Sequence, residues 1–187
     1  MSPRSRTARA IRILGIDPGT LHCGYGVVEV SGSVTFNRPR YLECGVIELD
    51  GRRELPARLR ALAADLREVI AEFQPQEVSL EAVFHGVNAQ SALRLGHARG
   101  VIMLLAAEAE LPLFEYAPAK VKKAVAGNGR AQKSEIQRLV SILCNLKKPP
   151  GPDAADALAI AICHAQHRPL LQQRQGRVAV PGPSPRL

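Results

Sequence analysis

An aspartate at the end of an apolar run constrains the fold of this chain more than any other feature. The stretch GIDPGTLHCGYG, residues 15–26, places Asp17 directly after the apolar run of residues 11–16 and follows it with a turn rich in Pro and Gly. The run predicts a buried strand, and the turn predicts a reversal into a second strand. The charge therefore falls at a sheet edge, where ligands of α/β folds commonly lie.

Hydrophobic periodicity predicts the remaining elements. Gly, Pro, Asn and Ser turns separate three predicted strands, which favours an antiparallel meander. Apolar side chains then recur every three or four residues, as in an amphipathic helix, and two further strands alternate with helices. This order predicts an α/β domain with a mixed five-stranded sheet flanked by helices. The predicted strands are 11–16, 23–30, 40–49, 77–82 and 111–117; the predicted helices are 54–73, 88–110 with Asn88 as its N-cap, a short basic one from Pro118, 133–146, and 154 to about 167.

Length and composition favour one soluble domain. The chain has 187 residues, of which 46% are hydrophobic and 22% charged, and no apolar run reaches the eighteen or so residues that a membrane span needs. The basic N-terminus lacks the apolar segment of a secretory signal, so we expect a cytoplasmic protein without membrane contact. Residues 11–167 are predicted to form the domain, and residues 1–10 and 168–187 to be disordered basic tails.

The net charge of +8 is concentrated at the two ends of the chain. Seven arginines and no acidic residue fall in residues 1–10 and 168–187, which leaves the body almost neutral. Within the body, residues 117–134 form an acid-free basic segment, a candidate surface for nucleic acid. Its charged residues are Lys120, Lys122, Lys123, Arg130 and Lys133.

Four carboxylates from distant segments are candidates for one site. Asp17 and Glu81 each end a predicted strand, and Asp153 and Asp156 share one face of the first turn of the last helix. Hard cations such as Mg²⁺ prefer carboxylate oxygens, and two such ions can drive phosphodiester hydrolysis. Glycines after Asp17, at positions 19, 24 and 26, would let a phosphate backbone approach, or would simply permit a tight hairpin.

Each of these residues also has a plain structural explanation. The two aspartates of the last helix would suit a helix N-terminus, and Asp17 would suit an Asp-Pro-Gly turn. Glu81 is harder to explain, because its neighbours are apolar and an unpaired buried carboxylate is costly. For His164 and His167 we favour an interaction with the helix C-terminus over metal binding. The four cysteines, without C-x-x-C spacing, are expected to be reduced and buried.

Four segments, taken in order, closely resemble the bacterial RuvC family of Holliday-junction resolvases over residues 11–167. They are ILGIDPGTLHCGYGVV, LEAVFHGVNAQSALRLGHARGVIMLL, FEYAPAKVKKAVAGNGRAQK and DAADALAIAICHA. The resemblance implies a ribonuclease-H-like fold and a homodimer formed through the long helix. It also implies a nuclease that nicks two strands of like polarity in a four-way DNA junction symmetrically, leaving ligatable 5′-phosphate ends.

The same resemblance implies roles for individual residues and partners. The acidic tetrad of the family falls on Asp17, Glu81, Asp153 and Asp156, which would hold Mg²⁺, two ions per subunit, with Mn²⁺ able to substitute. Phe84 takes the position of an aromatic that stacks on an unpaired base, although by itself it would be read as a core residue. Lys122 and Lys133 match DNA-contacting lysines, and the RuvA–RuvB branch-migration complex is the implied partner.

Three other functions compete with the nuclease. The stretch DPGTLHCG also resembles the first phosphate loop of actin-like and sugar-kinase ATPases, but those proteins need a second domain and a second phosphate motif. An RNA-processing nuclease of the same fold is a second alternative, disfavoured by AVFHGVNAQSALRLG and the aspartate pair. A non-enzymatic DNA-binding module would leave Glu81 unexplained, and the sequence has no P-loop motif.

Overall fold

The computed structural model describes residues 10–31, 38–82 and 89–175, with side chains described as far as residue 168. Its strands form one five-stranded sheet in the order β3-β2-β1-β4-β5. The strands are β1 (Ile11–Asp17), β2 (His22–Val30), β3 (Arg40–Glu48), β4 (Glu77–Glu81) and β5 (Leu113–Tyr116).

The sheet is mixed, as predicted. Strands β1, β2 and β3 form an antiparallel meander, whereas β4 runs parallel to β1, and β5 runs parallel to β4. Parallel neighbours end at the same edge of a sheet. Because Ile16 pairs with Leu80, the next residues, Asp17 and Glu81, end neighbouring strands side by side.

Helices cover both faces of the sheet. They are α1 (Leu55–Phe73), α2 (Ala89–Glu108), α3 (Pro118–Ala126), α4 (Lys133–Leu143) and α5 (Pro152–Gln175). The first two pack on one face and the other three on the opposite face. The prediction for α5 was wrong at its end, because the helix continues well beyond His167. The predicted cap of α2, Asn88, lies outside the described residues.

Strand periodicity decides which side chains meet α5. In β1, Ile13 belongs to the core under α3 to α5, whereas Leu14 and Ile16 belong to the core under α1 and α2. Successive side chains point to opposite faces, so Asp17 lies on the α5 face. In β4, Val78 and Leu80 join the α1 and α2 core, which places the intervening Glu77, Ser79 and Glu81 toward α5.

Glycines let α5 pack directly on the backbone of the sheet. A Cβ atom on Gly15 would lie 2.2 Å from the carbonyl oxygen of Ala157, and one on Gly24 would lie 2.2 Å from that of Asp153. A Cβ on Gly26 would lie 2.8 Å from the Leu158 side chain. The expectation that Gly24 and Gly26 leave room for a phosphate backbone was therefore wrong, because α5 fills that space.

The other glycine after Asp17 serves the turn. A Cβ on Gly19 would lie 2.0 Å from the carbonyl oxygen of His22, so the tight-hairpin explanation holds there. The four cysteines are free, as predicted, and all are buried except Cys44, which is half-buried. No helix in the described part of the chain has the length and apolar character that a membrane span requires.

We expect Gly15→Ala to destabilise the protein by about 1–3 kcal/mol or more, because the added methyl group would meet helix backbone that cannot rotate away. The matched control is Gly151→Ala, just before α5, where an added Cβ meets nothing within 4 Å. Chemical denaturation measures both. A Gly15→Ala protein as stable as the parent would contradict the close packing of α5.

Candidate active site

A cleft of about 310 Å³ lies at the sheet edge where β1 and β4 end. Three carboxylates and two ammonium groups from five different elements line it, together with the apolar side chains of α3 to α5. The charged residues are Asp17 of β1, Glu81 of β4, Lys122 of α3, Lys133 of α4 and Asp156 of α5.

Asp153, the fourth predicted carboxylate, lies beside this cleft and does not line it. Its backbone carbonyl packs over Gly24, which fixes the first turn of α5 against β2. Its charge nevertheless reaches Asp17, where it contributes to a raised pKa. Asp156, one turn further along α5, faces the cleft and accepts a hydrogen bond from Lys133 Nζ at 3.1 Å.

The cleft holds more negative charge than its surroundings compensate. The pKa of Asp17 is raised from 3.8 to about 7, first by burial and then by the charges of Glu81, Asp156 and Asp153. The pKa of Glu81 is also raised, first by burial and then by Asp156. Lys133 acts against both shifts, and its own pKa is raised by the bond to Asp156.

The donor set and the charge of the cleft suit a hard divalent cation. All three lining ligands are carboxylates, which Mg²⁺ and Mn²⁺ prefer, and a cation would relieve the repulsion that raises the pKa of Asp17. The side chains share one cleft without forming a finished cage: among the residues that the structure describes, no three acidic, histidine or cysteine side chains are placed to hold a metal ion.

Both predicted DNA-contacting lysines lie at this cleft. Lys122 and Lys133 line the cleft from α3 and α4, and both lower the pKa of Glu81. The basic segment therefore borders the acidic site. Phe84 lies outside the described residues.

Arg99 of α2 is a residue of the site that the sequence analysis did not identify. Its side chain is 10% exposed and donates to the backbone carbonyl of Glu81 and to the Glu115 carboxylate. The arginine thus ties α2 to the end of β4 at the position of the candidate ligand. An arginine among the apolar residues of a predicted helix was the available signal, because a buried guanidinium needs acceptors.

The prediction for His164 was wrong. The histidine is fully buried in the middle of α5 and stacks on Phe114 with ring centroids 4.3 Å apart. Its Nδ1 lies 2.7 Å from the Tyr116 hydroxyl and its Nε2 lies 2.7 Å from Glu77, which also accepts from Arg168 at 2.8 Å. This network anchors α5 at the opposite end of β4 from Glu81.

The family model that describes crossover junction endodeoxyribonuclease RuvC matches residues 13–164. This chain belongs to the RuvC family. A relative from Magnetococcus marinus, a crossover junction endodeoxyribonuclease RuvC, is 46% identical over 167 residues, which are 89% of this chain and 91% of the relative. Nucleases of the RuvC family are metal-dependent.

Solved structures agree with this assignment. RuvC of Thermus thermophilus, determined in complex with a Holliday junction substrate, is similar with a TM-score of 0.78 and 35% identity, covering 86% of this chain and 96% of that one. The yeast mitochondrial resolvase Ydc2 shares the fold at a TM-score of 0.60 and 17% identity, over 94% of this chain and 85% of Ydc2. The predicted ribonuclease-H-like fold and RuvC membership are confirmed.

We expect Asp17→Asn to stabilise the metal-free protein at pH 8 by up to about 4 kcal/mol, since each unit of pKa is worth about 1.4 kcal/mol. A carboxylate with a raised folded pKa lowers stability as pH rises from about 4 to 7, so the gain should vanish toward pH 4. Thermal melts in chelator test this, with exposed Asp65→Asn as control. If the variant is no more stable than the parent at pH 8, the claim that the charge of Asp17 is uncompensated in the metal-free protein is wrong.

Proposed function

We propose that this RuvC-family chain resolves four-way DNA junctions with Asp17, Glu81, Asp153 and Asp156 as its metal-binding and catalytic residues. As a crossover junction endodeoxyribonuclease it hydrolyses phosphodiester bonds, nicking two strands of like polarity symmetrically and leaving ligatable 5′-phosphate ends. The observation that carries the residue assignment is the meeting of three carboxylates from β1, β4 and α5 in one cleft beside two lysines.

The carboxylates would hold Mg²⁺, two ions per subunit, and Mn²⁺ would substitute. Bound metal supplies a Lewis acid that activates water and stabilises the leaving oxygen. Asp17 and Glu81 are held in place by neighbouring strands, and Arg99 fixes the backbone at Glu81, so these side chains meet the cation on a rigid edge. Asp153 and Asp156 approach from α5.

The lysines bind the DNA strand at this edge. Lys122 and Lys133 place ammonium groups beside the carboxylates, so a phosphate can enter a cleft that would otherwise repel it. The hydrogen bond from Lys133 to Asp156 would be exchanged for a phosphate contact when DNA is bound. Phe84, which follows β4 in the sequence, would stack on an unpaired base at the junction.

The chain would act as a homodimer formed through α2. Leu93, Met103 and Leu104 of this helix are 66%, 47% and 56% exposed, which is unusual for apolar side chains of this size. Gly96 and Gly100 leave open space on the same helix, so close packing there requires a second chain. Family resemblance adds the RuvA–RuvB complex as partner and the cytoplasm as location.

Substituting a ligand should abolish cleavage and spare binding. We expect Asp17→Asn, Glu81→Gln and Asp153→Asn each to lower the nicking rate by roughly 10³-fold or more, because metal catalysis supplies several kcal/mol. Junction affinity should stay near that of the parent, since phosphate contacts position the DNA. The assay compares a synthetic four-way junction with linear duplex, in Mg²⁺ and in chelator, with Asp65→Asn as control. Substantial cleavage by Asp17→Asn would rule the ligand set out.

Removing the two cleft lysines should flatten the salt dependence of binding. Each phosphate contact contributes about 0.9 to the slope of log affinity against log salt, so Lys122→Ala with Lys133→Ala should reduce that slope by up to about 2. The control pair Lys147→Ala with Lys148→Ala changes the net charge equally in the loop after α4. An unchanged slope in the first pair would remove both lysines from the DNA surface.

A further inference from the structure

A second basic groove lies on the other side of α3 from the catalytic cleft. It is lined by Lys120 and Lys123 of α3 and by Gln166 and His167 of α5, with Ala124 between them. Lys120 and Lys123 are three residues apart and share one face of α3, whereas Lys122 faces the cleft. One short helix therefore presents cations to two adjacent depressions.

The groove has a fixed framework. The Gln166 side chain donates to the carbonyl oxygen of Ala124 at 3.0 Å, which joins α3 to α5. The Lys120 ammonium lies 4.9 Å from the centroid of the Tyr116 ring, at a distance typical of a cation–π contact. The His167 ring lies 5.7 Å from the same tyrosine. Tyr116 pairs with Glu81 in the sheet register, so groove and catalytic edge share one support.

In the described part of the chain, no carboxylate competes for the two groove lysines. The described residues that line the groove include no acidic side chain, and those residues place neither Lys120 nor Lys123 in an ion pair. Glu77, the carboxylate that meets this part of α5, is bound by His164 and Arg168. An exposed pair of cations without counter-charge, on a fixed framework, suits a ligand that brings negative charge of its own.

We propose that this groove binds a second phosphate of the strand that is cut, so that the DNA backbone crosses α3 from one depression to the other. This proposal rests on the proposed function, which places the scissile phosphate in the cleft. A helix with its side chains is about 10 Å across, and neighbouring phosphates of one strand lie roughly 6–7 Å apart in space, so the second phosphate lies about one or two nucleotides from the cut.

The hydrogen bonds of His167 define how it can take part. Its Nδ1 lies 2.7 Å from the carbonyl oxygen of Cys163 and must donate there, because a carbonyl only accepts. Nδ1 is therefore occupied by the backbone of α5 and is not available to a phosphate. The two lysines supply the positive charge of the groove, and the His167 ring forms part of its lining.

The test removes charge from the protein and, separately, from the DNA. Junction binding is measured in chelator, which prevents cutting, for the parent, for Lys120→Ala with Lys123→Ala, and for the control pair Lys147→Ala with Lys148→Ala. The junction carries a single neutral methylphosphonate at each position from one to five nucleotides on either side of the cut. The pair Lys120→Arg with Lys123→Arg keeps the charge, and so distinguishes loss of charge from altered packing on Tyr116.

We expect the alanine pair to weaken binding roughly three- to thirtyfold and to lower the salt slope by about 1, as the loss of one phosphate contact requires, whereas the arginine pair keeps the parent affinity. One methylphosphonate, one or two nucleotides from the cut, should weaken binding by the parent and not by the alanine pair. A methylphosphonate at a phosphate that the cleft binds should weaken junction binding by the parent and by the alanine pair equally.

Two results would overturn the proposal. The alanine pair could bind like the control pair, or its loss could add in full to that of every methylphosphonate, which would mean that these lysines act only as diffuse charge. Cutting of the unmodified junction by the parent is scored separately. Failure to cut would refute the proposed function, whereas cutting together with either result above would refute the groove alone.

Discussion

The close contact between α5 and the glycines of the sheet is the constraint on which the rest of the structure depends. Gly15, Gly24 and Gly26 bring the helix within contact distance of backbone atoms in β1 and β2. Because α5 carries Asp153 and Asp156 in its first turns, this contact sets how far their charges lie from Asp17. A side chain larger than hydrogen at these positions would move α5, and with it two of the four candidate acidic residues of the site.

The two ends of β4 differ in role: a carboxylate at one end contributes to stability, and a carboxylate at the other end lines the candidate active site. At the start of β4, the partly buried carboxylate of Glu77 is compensated by His164 and Arg168 of α5. At the other end of the same strand Glu81 has no such partner among the described residues, and burial, followed by the charge of Asp156, raises its pKa. Burial of charge costs free energy unless it is paired. The cleft at this end, which the lysines of α3 and α4 border, is therefore the place where the proposed cation and DNA phosphate would supply the missing compensation.

The proposed function needs two copies of the site, because two strands of the junction are nicked. RuvC-family nucleases act on a branched DNA that is much larger than one cleft, and the proposed assembly through α2 would place a second site beside the first. Arg99 gives this helix a direct connection to Glu81, since its buried guanidinium contacts the backbone of that residue. The apolar residues on the outer side of α2 and the charged residue on its inner side thus belong to one rigid element.

The sequence by itself predicted the strands, the helices apart from the end of α5, and the position of Asp17 and Glu81 at strand ends, because the periodicity of apolar side chains and the position of charges at the ends of runs are local properties. It did not determine that Gly24 and Gly26 are covered by α5, that His164 belongs to a buried network, or that Arg99 reaches Glu81. Each of these depends on contacts between residues far apart in the chain, which only the packing of α5 and α2 against the sheet decides. Asp17 shows both sides: its strand and face follow from a period of two, whereas its raised pKa exists only once three distant segments fold around it.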